Sequence, residues 1–148
     1  ATEQGLCFTG SDGKDEHELL EWASKRRKGQ RIERNDEKMK PYIKQFQEYF
    51  DGERISFEMP LDLKGTDFQQ QVWQVLREIP FGQTQCYSDI ALAINNPKAV
   101  RAVGTAIGAN PVMVIVPCHR VIGKDGSLTG FRGGLPMKQR LLQLEGKK

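Results

Sequence analysis

Cys118 stands between Pro117 and His119 in the stretch VPCHRVIG, directly after the apolar run Val112-Met113-Val114-Ile115-Val116. Sulfur is a strong nucleophile once ionised, but a free thiol of pKa roughly 8.5 is only a few per cent thiolate at neutral pH. An adjacent base or positive charge therefore separates a reactive cysteine from an inert one, and His119 and Arg120 follow at once. A buried structural thiol is the plain alternative, because most free cysteines pack as small hydrophobes. The Val- and Ile-rich run predicts a buried strand that ends at Pro117, which has no N–H for a sheet ladder. The chain then turns at Cys118, leaving the sulfur near the backbone donors of that turn.

Something must bring a substrate to that turn, and the segment from Tyr87 to Asn110 is the first candidate. Ser88 is suited to cap a short helix carrying Ile90, Ala91 and Ile94, Asn95-Asn96 makes a turn, and Pro97 sits where a second helix would begin. This is the pattern of a helix-turn-helix. Spacing the second helix at about 100° per residue sends Val100, Val103 and Ile107 to the core and Lys98, Arg101, Ala102 and Thr105 outward. The outer face is small and basic. It is poor in the long polar side chains that read major-groove bases, and better matched to close approach at the backbone or a minor groove, with Arg101 free to reach into a duplex. A helical hairpin that merely packs is the alternative.

The rest of the chain reads as supporting structure. Thr66 and Gln69 form a capping box before a helix whose apolar face is Phe68, Val72, Trp73, Val75, Leu76 and Ile79, ended by Pro80 and Gly82. Upstream, two charged amphipathic helices are expected between Asp15 and Asp51, a strand at Ile55 to Met59 where polar and apolar residues alternate, and a weaker strand at Gly5 to Phe8. The fold class expected is α+β. A small N-terminal α/β domain (1–60) and a linker (61–65) precede a mostly helical, winged-helix-like C-terminal domain (66–148) that contains the helix-turn-helix.

With 148 residues, of which 38% are hydrophobic, the chain can bury a core unaided. No run reaches the ~20 apolar residues of a membrane span, so a soluble protein is expected. Three cysteines at scattered spacings exclude a disulfide framework or paired-cysteine metal knuckle, and reduced thiols fit a cytoplasmic location. The net charge of +3 is unevenly spread: residues 1–82 hold 13 basic against 16 acidic side chains, and residues 83–148 hold 9 against 3. A polyanion met by the C-terminal half fits that asymmetry, as does an ordinary solvated surface.

The run NPVMVIVPCHRVIG, preceded by YSDIALAINNPKAVRAVGTAIG and followed by GFRGG and LLQLEG, resembles the DNA alkyltransferases that remove alkyl groups from the O6 of guanine. The resemblance extends from about Thr66 to Gly146, with a looser match in the N-terminal half. It implies that Cys118 is the acceptor thiol and that His119, oriented by Glu145, draws away its proton through a water. Asn110 would order the turn around the sulfur, and Tyr87 would give a proton to the departing guanine. Arg101 would enter the base stack vacated by the flipped nucleotide, flanked by Lys98, Ala102, Thr105 and Arg120 as DNA contacts. Ile107, Met113, Leu128, Thr129, Gly130, Phe131 and Arg132 would line the substrate pocket, left more open by Gly133 where many relatives have tryptophan.

The chemistry agrees with these roles. An O-alkyl guanine carries an electrophilic carbon that a thiolate attacks in line, and the base must leave the helix to be reached. The thioether product has no carbonyl for water to attack, so each molecule acts once. The resemblance implies double-stranded DNA as the partner, bound through its minor groove by a monomer without cofactor. No metal is expected, because Cys7 and His17 are the only soft ligands in the N-terminal half. ATEQGLC is similar to the family's second strand, so a strand preceding Ala1 is expected. Two other functions compete: a non-catalytic sensor of alkylated DNA, in which the acceptor cysteine is missing, and a cysteine hydrolase, for which no oxyanion hole is evident. O6-alkylguanine and O4-alkylthymine both remain open as lesions, as does the size of the alkyl group.

Overall fold

The computed structural model describes residues 1–146. Six helices and one pair of very short strands follow in the order α1 (His17–Arg26), α2 (Asp36–Phe50), α3 (Asp67–Arg77), β1 (Gln85–Cys86), α4 (Tyr87–Ala93), α5 (Val100–Gly108), β2 (Val121–Ile122) and α6 (Leu135–Leu144), an α+β arrangement. No helix among the described residues is long and apolar enough to cross a membrane.

Helix α3 is the central post. Its capping box is closed from both sides, Gln69 N–H donating to Thr66 Oγ1 at 3.1 Å and Thr66 N–H to Gln69 Oε1 at 2.9 Å. Val72, Trp73 and Leu76 are buried along it, and the Trp73 indole N–H reaches the Ala106 carbonyl of α5 at 2.9 Å. Gly65 permits this approach, since a Cβ there would lie 2.7 Å from the Trp73 ring. Helices α4 and α5 pack on each other and on α3, with Ile90, Ala91, Val103, Ala106 and Ile107 turned inward.

The two halves of the chain share one core. Leu6 and Tyr49 are buried in the same cluster as Val72, Trp73, Val103 and Val116. Thr9 N–H donates to the Pro111 carbonyl at 2.9 Å. Arg27 and Asp62 form a buried ion pair at 3.0 Å that ties the end of α1 to the segment leading into α3.

Local expectations fail where side chains replace a sheet. Val112–Val116 is a buried turn, not a strand: Val112 N–H donates to Asn110 Oδ1 at 2.9 Å, and Asn110 Nδ2 donates to the Val116 carbonyl at 2.8 Å. The Asn110 amide thus supplies the partners that a ladder would have supplied, and the turn is tight enough to hold Val114 at φ 77°. Such a conformation in a β-branched residue costs on the order of 1–3 kcal/mol and persists only where the surroundings enforce it. Ile55–Met59 is likewise irregular. Gln45 of α2 brackets the Glu58 backbone with two hydrogen bonds of 2.7 and 2.8 Å, and Ile55 is 64% exposed. Gly5–Phe8 amounts to two isolated bridges, an antiparallel one between Thr2 and Gly5 and a parallel one between Leu6 and Leu61.

At the helix-turn-helix, Cys86 and not Ser88 precedes the first helix. Asp89 accepts from both the Cys86 N–H at 2.9 Å and its thiol at 3.0 Å. The second helix begins at Val100, beyond Pro97, and Val100 is exposed instead of packed. Asn95 takes the left-handed conformation at the turn, φ 60°, which asparagine tolerates better than most residues.

Candidate active site

Cys118 opens a single 3₁₀ turn, Cys118–Arg120, that leads straight into β2. β2 pairs in parallel with β1, Gln85 opposite Val121 and Cys86 opposite Ile122, so the exit of the cysteine turn lies alongside the entrance of α4, where Tyr87 begins the helix. Helices α4 and α5 are the crossover between the two strands. The cysteine turn and the helix-turn-helix are therefore parts of one closed structure.

The turn is buried: Cys118 is 4% exposed and His119 0%. Glu145, at the C-terminal end of α6, gathers four donors from three side chains. Its Oε2 accepts from His119 Nε2 at 2.8 Å, Arg120 Nη2 at 2.9 Å and Tyr49 Oη at 2.5 Å, and its Oε1 accepts from Arg120 Nε at 2.8 Å. Burial alone would raise the Glu145 carboxyl, but hydrogen bonds from His119, Arg120 and Tyr49 overcome it and hold the group down at about 2. Glu145 is thus an anion in the interior, fully compensated by its donors.

That anion fixes the state of His119. Burial lowers the imidazole pKa against the opposing pull of Glu145, so the ring is neutral at pH 7. With a carboxylate facing Nε2, the N–H sits on Nε2 and the lone pair on Nδ1. Nδ1 is one of two buried side-chain nitrogens, with Arg27 Nε, that lack a hydrogen-bond partner among the described residues. A neutral imidazole with a free lone pair, oriented by a buried carboxylate, is equipped to accept a proton.

Burial pushes the Cys118 thiol up, while Asn110 and the charges of Arg132 and Lys138 pull the other way. The resting sulfur is a thiol, and its proton has to be removed before it can act as a nucleophile. Lys138 was not singled out by the sequence. It is 1% exposed on α6, with Nζ donating to the Val121 carbonyl at 2.6 Å and the Thr129 carbonyl at 3.1 Å, and thereby joins β2 to the loop that follows. Tyr49, within the second of the two amphipathic helices expected between Asp15 and Asp51, is likewise unmarked by the sequence. A lysine or tyrosine on a helix carries no local mark of such a role.

Tyr87 is half-buried, with its hydroxyl 2.6 Å from Thr129 Oγ1 on the loop after β2, where Leu128, Thr129, Gly130 and Phe131 are partly or fully exposed. Lys98, Arg101, Ala102 and Thr105 are all exposed on α5 and the turn before it. Four expectations need correction. Arg120 is not a DNA contact: at 7% exposure it is spent on Glu145, on the Ile79 carbonyl at 2.6 Å and on the Phe81 ring. Arg132 does not line a pocket but turns into the N-terminal half, donating to the Thr9 and Pro111 carbonyls at 2.8 and 3.1 Å and pairing with Glu18 at 3.2 Å. Ile107 and Met113 are core residues at 6% and 0% exposure. Gly133 leaves no open space, for a Cβ there would lie 2.5 Å from Met137 Sδ and 2.9 Å from the Phe131 ring.

The buried network has a consequence for acid stability. Both His119 and Glu145 have pKa values depressed by folding, so each contributes stability that is present above its unfolded pKa and lost as pH falls. The thermal midpoint is therefore expected to fall from about pH 6.5 as His119 is driven to charge, and further between the ordinary carboxyl value of 4.5 and about 2 as Glu145 is protonated. Calorimetry across that range checks this. Glu145→Gln should be less stable at neutral pH and lose the lower part of the dependence.

Comparison with known proteins agrees with this anatomy. Residues 67–147 match the family model described as 6-O-methylguanine DNA methyltransferase, DNA binding domain, and residues 1–63 match the ribonuclease-like domain of the same family. The chain is 56% identical over 145 residues to the inducible methylated-DNA-protein-cysteine methyltransferase of Bacillus subtilis, covering 98% of this chain and 81% of that protein. The crystal structure of Mycobacterium tuberculosis OGT in complex with DNA superposes with a TM-score of 0.70 at 53% identity, covering 72% of this chain and 66% of that one. Schizosaccharomyces pombe Atl1, in complex with damaged DNA containing O6-carboxymethylguanine, superposes with a TM-score of 0.51 at 29% identity, covering 56% and 79% of the two chains. The chain belongs to the 6-O-methylguanine DNA methyltransferase family.

Proposed function

We propose that this protein repairs DNA by direct reversal, moving an alkyl group from the O6 of guanine to Cys118, once per molecule. The observation that carries the reading is the buried Glu145–His119 pair adjoining Cys118, with the imidazole lone pair on Nδ1 uncommitted. His119 takes the thiol proton through a water, the sulfur attacks the alkyl carbon, and a C–S bond forms as the C–O bond breaks. Tyr87 gives its proton to the departing guanine. Asn110 holds the turn in shape through its two backbone hydrogen bonds. The thioether is not reversed by water, so the protein is consumed.

Double-stranded DNA carrying an alkylated base is the partner, met by a monomer through the minor groove. Lys98, Arg101, Ala102 and Thr105 form the docking face, whose small central residues allow α5 a close approach. The flipped base is received beside Thr129, Gly130 and Phe131. Intact mass measurement after mixing with an O6-methylguanine oligonucleotide tests the reading: a permanent gain of one methylene on Cys118 is expected. An unchanged mass with DNA retained would favour the sensor, the reading that the likeness to Atl1 keeps in view.

Arg101 can be separated from the chemistry. Arg101→Ala should leave the reaction with free O6-benzylguanine unchanged, since a free base needs no flipping. Repair of duplex DNA should slow by roughly 10²-fold, the equivalent of the few kcal/mol that unstacking costs. Single-turnover rates on the two substrates decide it, and equal losses on both would make Arg101 a structural residue.

A further inference from the structure

We propose that Tyr49, contributed by the N-terminal half, is a positioning residue that restrains the pull of Glu145 on His119 and so sets how far into acid Cys118 stays reactive. The inference rests on the alkyl-transfer reading above. Three donors converge on Glu145 Oε2, and the shortest of those contacts is the Tyr49 hydroxyl at 2.5 Å, against 2.8 Å for His119 and 2.9 Å for Arg120. Each hydrogen bond draws electron density from the oxygen that His119 faces. The more of it Tyr49 holds, the less that oxygen stabilises an imidazolium.

The other charged groups around His119 cannot make so fine an adjustment. Glu145, from the end of α6, favours the imidazolium, while Arg120 beside it in the same turn and Lys138 from α6 oppose it together with burial. Cys118, on the other side in sequence, is a neutral thiol at rest. Tyr49, from α2, acts on the ring through Glu145 and adds no charge, because burial and the facing carboxylate hold its hydroxyl proton far above the usual phenol range. It is a fixed dipole at any working pH.

The ring that carries this hydroxyl is locked. Tyr49 is 1% exposed and meets Phe50 and Phe81 edge to face, with centroids 5.3 and 6.2 Å away, and Phe57 at 5.4 Å. The Phe81 ring is also the platform for the Arg120 guanidinium, 5.8 Å above it. Tyr49→Phe therefore keeps the packing and removes one hydrogen bond. Without that bond the His119–Glu145 contact strengthens and the imidazole pKa rises. A base is lost when it is protonated, so the acid limb of the reaction moves to higher pH.

The test is the rate of Cys118 alkylation by free O6-benzylguanine from pH 4.5 to 9 in the full chain, with the His119 imidazole titrated by NMR in parallel. Tyr49→Phe should shift the acid limb and the His119 titration upward together by about one unit, a rate roughly 10-fold below the parent on that limb and equal to it or faster in alkali. Phe50→Leu, which disturbs the same aromatic cluster without touching Glu145, should move neither. The proposal is overturned if the Tyr49→Phe profile coincides with the parent, shifts downward, or drops equally at every pH. It is overturned too if the variant cannot fold, since the hydroxyl would then be a structural requirement. A parent protein that takes up no benzyl group at any pH instead defeats the alkyl-transfer reading.

Discussion

Cys118→Ser is expected to reduce alkyl transfer to background while leaving affinity for alkylated duplex DNA intact. The hydroxyl occupies nearly the same volume in a site only 4% exposed, so the turn should persist. An alcohol, however, has a far higher pKa than a thiol, and neither His119 nor the nearby charges of Arg132 and Lys138 can make it an alkoxide. Neither of the other cysteines is expected to substitute. Cys7 is buried in the N-terminal half, and the Cys86 thiol is engaged in a 3.0 Å hydrogen bond to the Asp89 carboxylate. Titration of the parent with excess alkylated duplex should accordingly consume one thiol per chain and stop. Turnover of many equivalents, or demethylation by the serine variant, would require a different nucleophile.

Tyr87→Phe should produce the next largest loss. Removing the proton donor for the guanine leaving group is expected to slow the transfer step by ~10²–10⁴, the usual range for a general acid, with binding of alkylated DNA preserved. The hydroxyl lies 2.6 Å from Thr129 Oγ1, so a simpler clasp between α4 and the loop after β2 has to be distinguished. Thr129→Val breaks the same contact while sparing the phenol. A deep loss for Tyr87→Phe and a shallow one for Thr129→Val assigns the proton to Tyr87, whereas equal losses assign the pair to loop positioning. Rapid-quench measurement of a single turnover gives both numbers.

Local signals in the sequence served well where the governing interactions were local. The Thr66–Gln69 box, the apolar face of α3, and the exposure of Arg101, Ala102 and Thr105 on α5 each follow from spacing along a single helix. The valine-rich run before Cys118 has the pattern of a strand, yet hydrophobic runs of that length report burial and not backbone shape. Its form is dictated by Asn110, whose amide bridges Val112 and Val116 across the turn. Arg120 and Arg132 show the same limitation for charge. Each is as basic in sequence as Arg101, yet one is held by Glu145 and the other by carbonyls of the N-terminal half. Tyr49 lies 96 residues from Glu145, and no periodicity records a contact across such a distance.

The two-residue pairing of β1 with β2 bears on how safe such a protein is to make. Parallel strands can be joined only by a long crossover, and here that crossover is α4 and α5 themselves. The clasp that leads out of the cysteine turn therefore closes only when the helices of the proposed docking face are already in place. On the alkyl-transfer reading, a chain that has not closed this structure would lack the oriented base beside its thiol. Reactivity and discrimination would then depend on the same folded contacts, which would keep a single-use nucleophile from being spent on the wrong electrophile.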